Sequence, residues 1–92
     1  MTAAALEPDA FADVRDKLAA IIDALPTGAH IDAEHADVRA LVAAGQVPPQ
    51  WIGQAFAALA GRRHAPIRRI GFRAATRAAS KGHLIRVWEV TA

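Results

Sequence analysis

Gly61 marks a change of hydrophobic period, and that change constrains the fold more than any other feature of the chain. Before it, large apolar residues recur at helical spacing; after it, the pattern shifts to the alternation expected of strands. Helices must therefore share one core with a sheet formed late in the sequence. The chain has 92 residues, which is one domain's worth, and a core of that size is marginal. Hydrophobic residues make up 53%, but 24 of them are Ala, leaving 25 larger side chains to fill the interior. That suffices for one core and no second.

Residues 1–8 read as a loose, Ala-rich tail and residues 9–92 as the domain. A first helix is expected to begin near Pro8 or Asp9, since proline fits a first-turn position and aspartate accepts from free N–H groups. Phe11, Val14, Leu18, Ile21, Ile22 and Leu25 form its apolar stripe, Asp13, Asp16, Lys17 and Asp23 fall elsewhere, and Pro26-Thr27-Gly28 ends it. Ala29, His30 and Ile31 are too few for an independent strand but can add a short edge to a later sheet. Asp32 is the expected N-cap of a second helix, with His35 at its third position and Val38, Leu41 and Val42 inward. Gly45 is expected to stop it as a left-handed C-terminal residue. Pro48 and Pro49 then set a third helix with Trp51, Ile52, Ala55, Phe56 and Leu59 on its apolar side. Two helices joined by a turn of about four residues containing Gly are a helix-turn-helix.

Ile67 to Arg73, with Ile70 and Phe72 on one face, reads as a strand, and Leu84 to Val90 as its partner. Ala74 to His83 is a long basic hairpin loop between them. The expected fold is thus α+β: a winged helix-turn-helix of three helices plus a C-terminal β-hairpin, with a short third strand left open.

Charge is divided as sharply as period. Residues 1–61 hold three cations against eight carboxylates, a net of −5, while residues 62–92 hold eight cations against Glu89 alone, a net of +7. A concentrated cationic segment points to an anionic partner. With no Cys there is no disulfide framework, thiolate metal site or thiol nucleophile. No apolar run approaches the roughly 20 residues of a membrane span, and Met1 to Glu7 lacks the basic start of a signal peptide. The cytoplasm is the expected compartment.

Several residues in the second half also carry a resemblance. Trp51, Gly53 and Phe56 in the third helix, Gly71 and Phe72 in the first strand, and Thr76, Arg77, Ser80, Gly82, Val87 and Trp88 in the wing and last strand are similar to the small winged-helix proteins of phages and prophages, particularly those of high-GC actinobacterial hosts. About forty residues are covered. Ala78 stands where that family often has a proline, which implies a less rigid wing, and Arg62-Arg63-His64-Ala65-Pro66-Ile67 replaces its usual entry into the strand. The resemblance implies DNA binding, a regulatory or accessory role such as transcription regulation, and a host-cell cytoplasm if the chain is phage-encoded.

Candidate contacts follow from chemistry. Gln50 and Gln54 stand one turn apart on the outer face of the third helix, and glutamine can pair with adenine in the major groove; the alternative is a solvated surface. The prolines place the positive end of the helix dipole where a phosphate can sit. Arg73, Arg77 and Lys81 lie four apart on the hairpin loop, Arg68, Arg69 and Arg86 flank it, and Thr76 and Ser80 can add positioning bonds. About five phosphate contacts give a slope of log affinity against log salt of roughly −4 to −5.

Trp51 is expected in the core, and Trp88 packed against the first helix. His30 and His35 share no helix face, so no metal is expected there, and His64 and His83 read as surface residues. No hydroxyl has a His and carboxylate at a catalytic spacing, and no phosphate-cradling glycine loop is present, so neither catalysis nor a cofactor is expected. The partner is then duplex DNA. The alternative is a protein-interaction module of the same fold that binds and perturbs a host or phage protein, favoured by the charge-poor third helix. A monomer and a homodimer fit the sequence equally.

Overall fold

The structure, a computed structural model, describes residues 8–45, 47–75 and 83–91. It is a small α+β arrangement in the order α1 (Pro8–Asp23), β1 (His30–Ile31), α2 (Ala36–Gly45), α3 (Pro49–Ala60), β2 (Ile67–Ala74) and β3 (Leu84–Val90). The strands form one antiparallel sheet in the order β1-β3-β2, with β3 central. This order is compatible with a winged-helix arrangement. No helix among the described residues is long and apolar enough to cross a membrane. The proposed tail lies outside the described residues except for Pro8, which opens α1.

One core joins the layers. Val14, Leu18 and Ile22 of α1 recur every four residues and are buried with Val38 of α2, Ile52, Ala55, Phe56 and Leu59 of α3, and Ile31, Ile67, Trp88 and Val90 of the sheet. The stripe read from the sequence is therefore the face that packs. α1 ends at Asp23, bonds from Ala24 and Leu25 N–H to Ala20 and Ile22 carbonyls carry the turn up to Pro26, and Gly28 takes φ 90°, a conformation open to glycine. This brings β1 alongside β3, pairing His30 with Glu89 and Ile31 with Trp88. Gly28 N–H to Val90 O at 2.8 Å and Val90 N–H to Ala29 O at 2.9 Å extend that contact, so a two-residue strand is held by more than its own ladder. The edge strand left open by the sequence is present.

Four local expectations need correction. Asp32 does not cap α2: its Oδ1 accepts from Glu34 N–H at 2.8 Å, and its carbonyl from His35 N–H at 3.1 Å, closing a turn before the helix. His35 takes the cap position instead, its carbonyl accepting from Arg39 N–H at 2.9 Å and its Nδ1 from Asp37 N–H at 3.2 Å. Gly45 is the last residue of α2 and is not among the glycines with positive φ; the end is closed by Val47 N–H to Val42 O at 3.2 Å. Trp88 stacks on Phe56 of α3, with ring centroids 5.7 Å apart and planes at 11°, rather than on α1. Trp51 reaches α1 instead, edge-on to Phe11 at 5.8 Å.

The fourth correction concerns β2. Its register with β3 slips between Arg69, opposite Trp88, and Gly71, opposite Val87, leaving Ile70 as the extra residue of a bulge. Gly71 adopts φ 154°, which side-chain-bearing residues rarely tolerate. The bulge breaks the simple alternation that would put Ile70 and Phe72 on one face, and both side chains are exposed.

Candidate nucleic-acid interface

α3 begins where proline chemistry dictates. Pro48 (φ −57°, ψ 130°) precedes the helix, Pro49 occupies its first turn where the missing N–H costs nothing, and Trp51 N–H bonds to Pro48 O at 2.9 Å. Ile52, Ala55, Phe56 and Leu59 then turn into the core, which leaves Gln50, Gly53, Gln54 and Ala57 exposed. From Pro49 to Ala60 the helix carries no charged residue.

The inner face of the hairpin runs beside this surface and forms a trough with it. Its upper part, about 450 Å³, lies between Pro49, Gln50 and Gly53 of α3 and Phe72, Leu84 and Arg86 of the hairpin, over Phe56 and Trp88. A lower hollow of about 520 Å³ lies between Ala57, Ala60 and Gly61 on one side and Arg68, Arg69 and Arg86 on the other. Arg86 and Trp88 border both, so the hollows are neighbours along one side of the hairpin. Three arginines and no carboxylate line them.

The arginines are not equivalent. Arg86 has no ion pair among the described residues; its guanidinium sits 5.6 Å from the Phe72 ring centroid and 5.9 Å from that of Trp88, held by two aromatic faces. Arg69 is exposed and likewise has no carboxylate partner among the described residues. Arg68 donates from Nε and Nη2 to Glu89 Oε1, both at 2.7 Å, across the β2–β3 pair.

Arg73 differs from the sequence reading. It lies in β2, within the strand expected from the sequence, but its donors are engaged inside the molecule instead of being offered to a partner. Nε and Nη2 reach Asp32 Oδ2 and Oδ1 at 3.0 and 3.2 Å, Nη2 reaches Glu34 Oε1 at 2.8 Å, and Nη1 bonds the Ala74 carbonyl at 3.0 Å. Both carboxylate side chains are largely buried, 14% and 8% exposed, so they need this cation more than a surface pair would.

The hydrogen bonds to Asp32 first, and Glu34 second, hold the Arg73 guanidinium above its ordinary pKa. A base shifted in that direction contributes stability that is fully present below its unfolded pKa and lost only as pH rises through the folded one. The arginine therefore stays charged in neutral and moderately alkaline buffer. The clamp ties the loop end of the hairpin to the turn before α2.

Of the ten residues the sequence singled out, Gln50 and Gln54 share the open face of α3, and Arg69 and Arg86 border the trough with Arg68 at its rim. Arg73 is drawn away to the clamp. Thr76, Arg77, Ser80 and Lys81 lie outside the described residues. Sequence reasoning missed Phe72 and Leu84 as lining residues, and Asp32 and Glu34 as partners of the hairpin. The Arg73 to Asp32 contact spans 41 positions and leaves no local signature. Among the described residues no group of three or more His, Cys, Asp or Glu is placed to hold a metal ion.

No protein-family model, curated protein or solved structure matches the chain.

Proposed function

We propose that this protein is a winged helix-turn-helix domain that binds duplex DNA, with α3 in the major groove and the hairpin along the backbone or minor groove. The carrying observation is the trough between α3 and the hairpin, where Arg69 and Arg86 have no carboxylate partner among the described residues and lie beside the exposed Gln50 and Gln54. Arginines beside a phosphate backbone position a duplex, and glutamine side chains on a helix face can read base edges. The chemistry requires no cofactor and no catalytic group. The biological role that fits is a regulatory or accessory factor of the phage or prophage type, acting in the host cytoplasm.

A mobility-shift titration with duplex fragments at two salt concentrations tests this. Binding at low salt that weakens steeply at the higher concentration is expected. No shift at low salt, or a shift indifferent to salt, contradicts it.

A second reading, a module that docks on a host or phage protein, has one specific observation in its favour. α3 is uncharged, Phe72 and Leu84 expose apolar surface beside it, and Ile70 exposes more elsewhere on β2. It predicts a partner retained after nuclease treatment and lost on substitution at those three positions, with no duplex binding at low salt.

A further inference from the structure

The trough holds more apolar surface than a backbone contact uses. Phe72 is 58% exposed and Leu84 70%. Isolated exposed apolar residues need no explanation, but these two share a surface. Phe72 lies opposite Arg86, and Leu84 is two residues from Arg86 on β3, so all three stand on one face of the hairpin with Trp88. That face looks across the trough at Gln50 and Gly53.

Gly53 adds an independent observation. A Cβ placed there would meet no atom within 4 Å, so the fold itself has no need of glycine in mid-helix, where glycine is unfavourable. The missing side chain keeps the trough open beside Gln50.

An aromatic ring and an aliphatic side chain suit the flat face of a base. A guanidinium held against that ring suits a phosphate, and a primary amide on the rim can pair with a base edge. The lining carries positive charge without negative, which matches a nucleotide. A base within a duplex is stacked on both sides and cannot lie against Phe72. We propose that the section bounded by Gln50, Phe72, Leu84 and Arg86 holds an unpaired nucleotide, its base against Phe72 and Leu84 and its phosphate at Arg86. The protein then prefers a duplex that ends in, or opens to, a single strand. This rests on the nucleic-acid reading above and narrows it.

Fluorescence anisotropy with a blunt duplex, and with the same duplex carrying a short single-stranded thymidine tail, separates the two readings. The tailed DNA is expected to bind more tightly by roughly 5- to 150-fold, the range of one base stacked on an aromatic side chain. Phe72→Ala should abolish the preference for tailed over blunt DNA, read as the ratio of the two affinities, and Phe72→Trp should keep it. Equal affinity of the native protein for the two DNAs overturns the proposal and leaves duplex binding standing. A preference that survives Phe72→Ala also overturns it. Binding of neither DNA removes both readings.

Discussion

Replacing Phe56 with alanine is expected to destabilise the protein by about 3–5 kcal/mol, the usual range for removing a buried phenyl ring. Phe56 is 2% exposed and is the point where α3 meets the sheet, stacked on Trp88. Its truncation removes apolar contacts on both sides and leaves a cavity that a domain this small has little capacity to close. At about 0.05–0.15 kcal/mol per residue the whole domain has roughly 5–14 kcal/mol to lose, so the variant keeps only part of it.

For a chain of this length each kcal/mol moves Tm by about 4–8 °C, and the melting midpoint should fall by at least about 12 °C. Phe72→Ala removes a similar ring from an exposed position and one cation–π contact with Arg86. It should cost less than about 1 kcal/mol. Comparable losses at the two positions in thermal or urea unfolding would contradict the packing described.

Loss of Arg69 and Arg86 together should produce the largest change in DNA binding. Each phosphate contact releases counterions and contributes about 0.9 to the slope of log affinity against log salt. At 0.1 M salt that is about 0.9 of a decade per contact, so Arg69→Ala with Arg86→Ala should weaken binding roughly 60-fold and reduce the slope by about 1.8. Lys17→Ala, on the far side in α1 and paired with Asp13 at 3.0 Å, should change neither.

The ion pairs of the hairpin also revise the expected slope. With Arg68 held by Glu89 and Arg73 by Asp32 and Glu34, at most four of the six candidate cations are left, Arg69 and Arg86 together with Arg77 and Lys81, which lie outside the described residues. Four contacts give about −3.6, slightly shallower than the −4 to −5 expected from composition. A titration in which the double variant keeps the native slope would place these arginines outside the interface.

What could be read from the sequence was what local spacing determines. The α1 stripe, the prolines opening α3, both hairpin strands and the short edge at His30–Ile31 lie where periodicity and turn chemistry put them. What could not be read depends on contacts between distant positions. Asp32 looks like a helix cap because its neighbours in sequence are helical, yet its carboxylate is claimed by a local turn and by an arginine in a later strand. The Ile70 bulge changes which side chains β2 exposes, and no single-strand pattern announces a slip in pairing. Trp88 was recognisable as a packing residue, but choosing α3 over α1 requires knowing which helix lies across β3.

The charge division was legible only in part for the same reason. Most cations do lie in the last third of the chain, but carboxylates meet them at two places, Glu89 of the same segment on β3 and Asp32 and Glu34 of the acidic body at Arg73. Composition counts charges without pairing them. Arg69 and Arg86 on the trough between α3 and the hairpin have no carboxylate partner among the described residues, and that is the surface on which the proposed function depends.

Amide chemical-shift mapping tests that dependence most directly, because it reports the contacting surface without relying on a variant. On titration of ¹⁵N-labelled protein with a duplex at low salt, the largest shifts are expected at Gln50, Gly53, Gln54, Arg69 and Arg86, with the exposed side of α1 around Asp13 and Lys17 unmoved. Shifts centred on α1 or α2, or no shifts at all, would contradict the account.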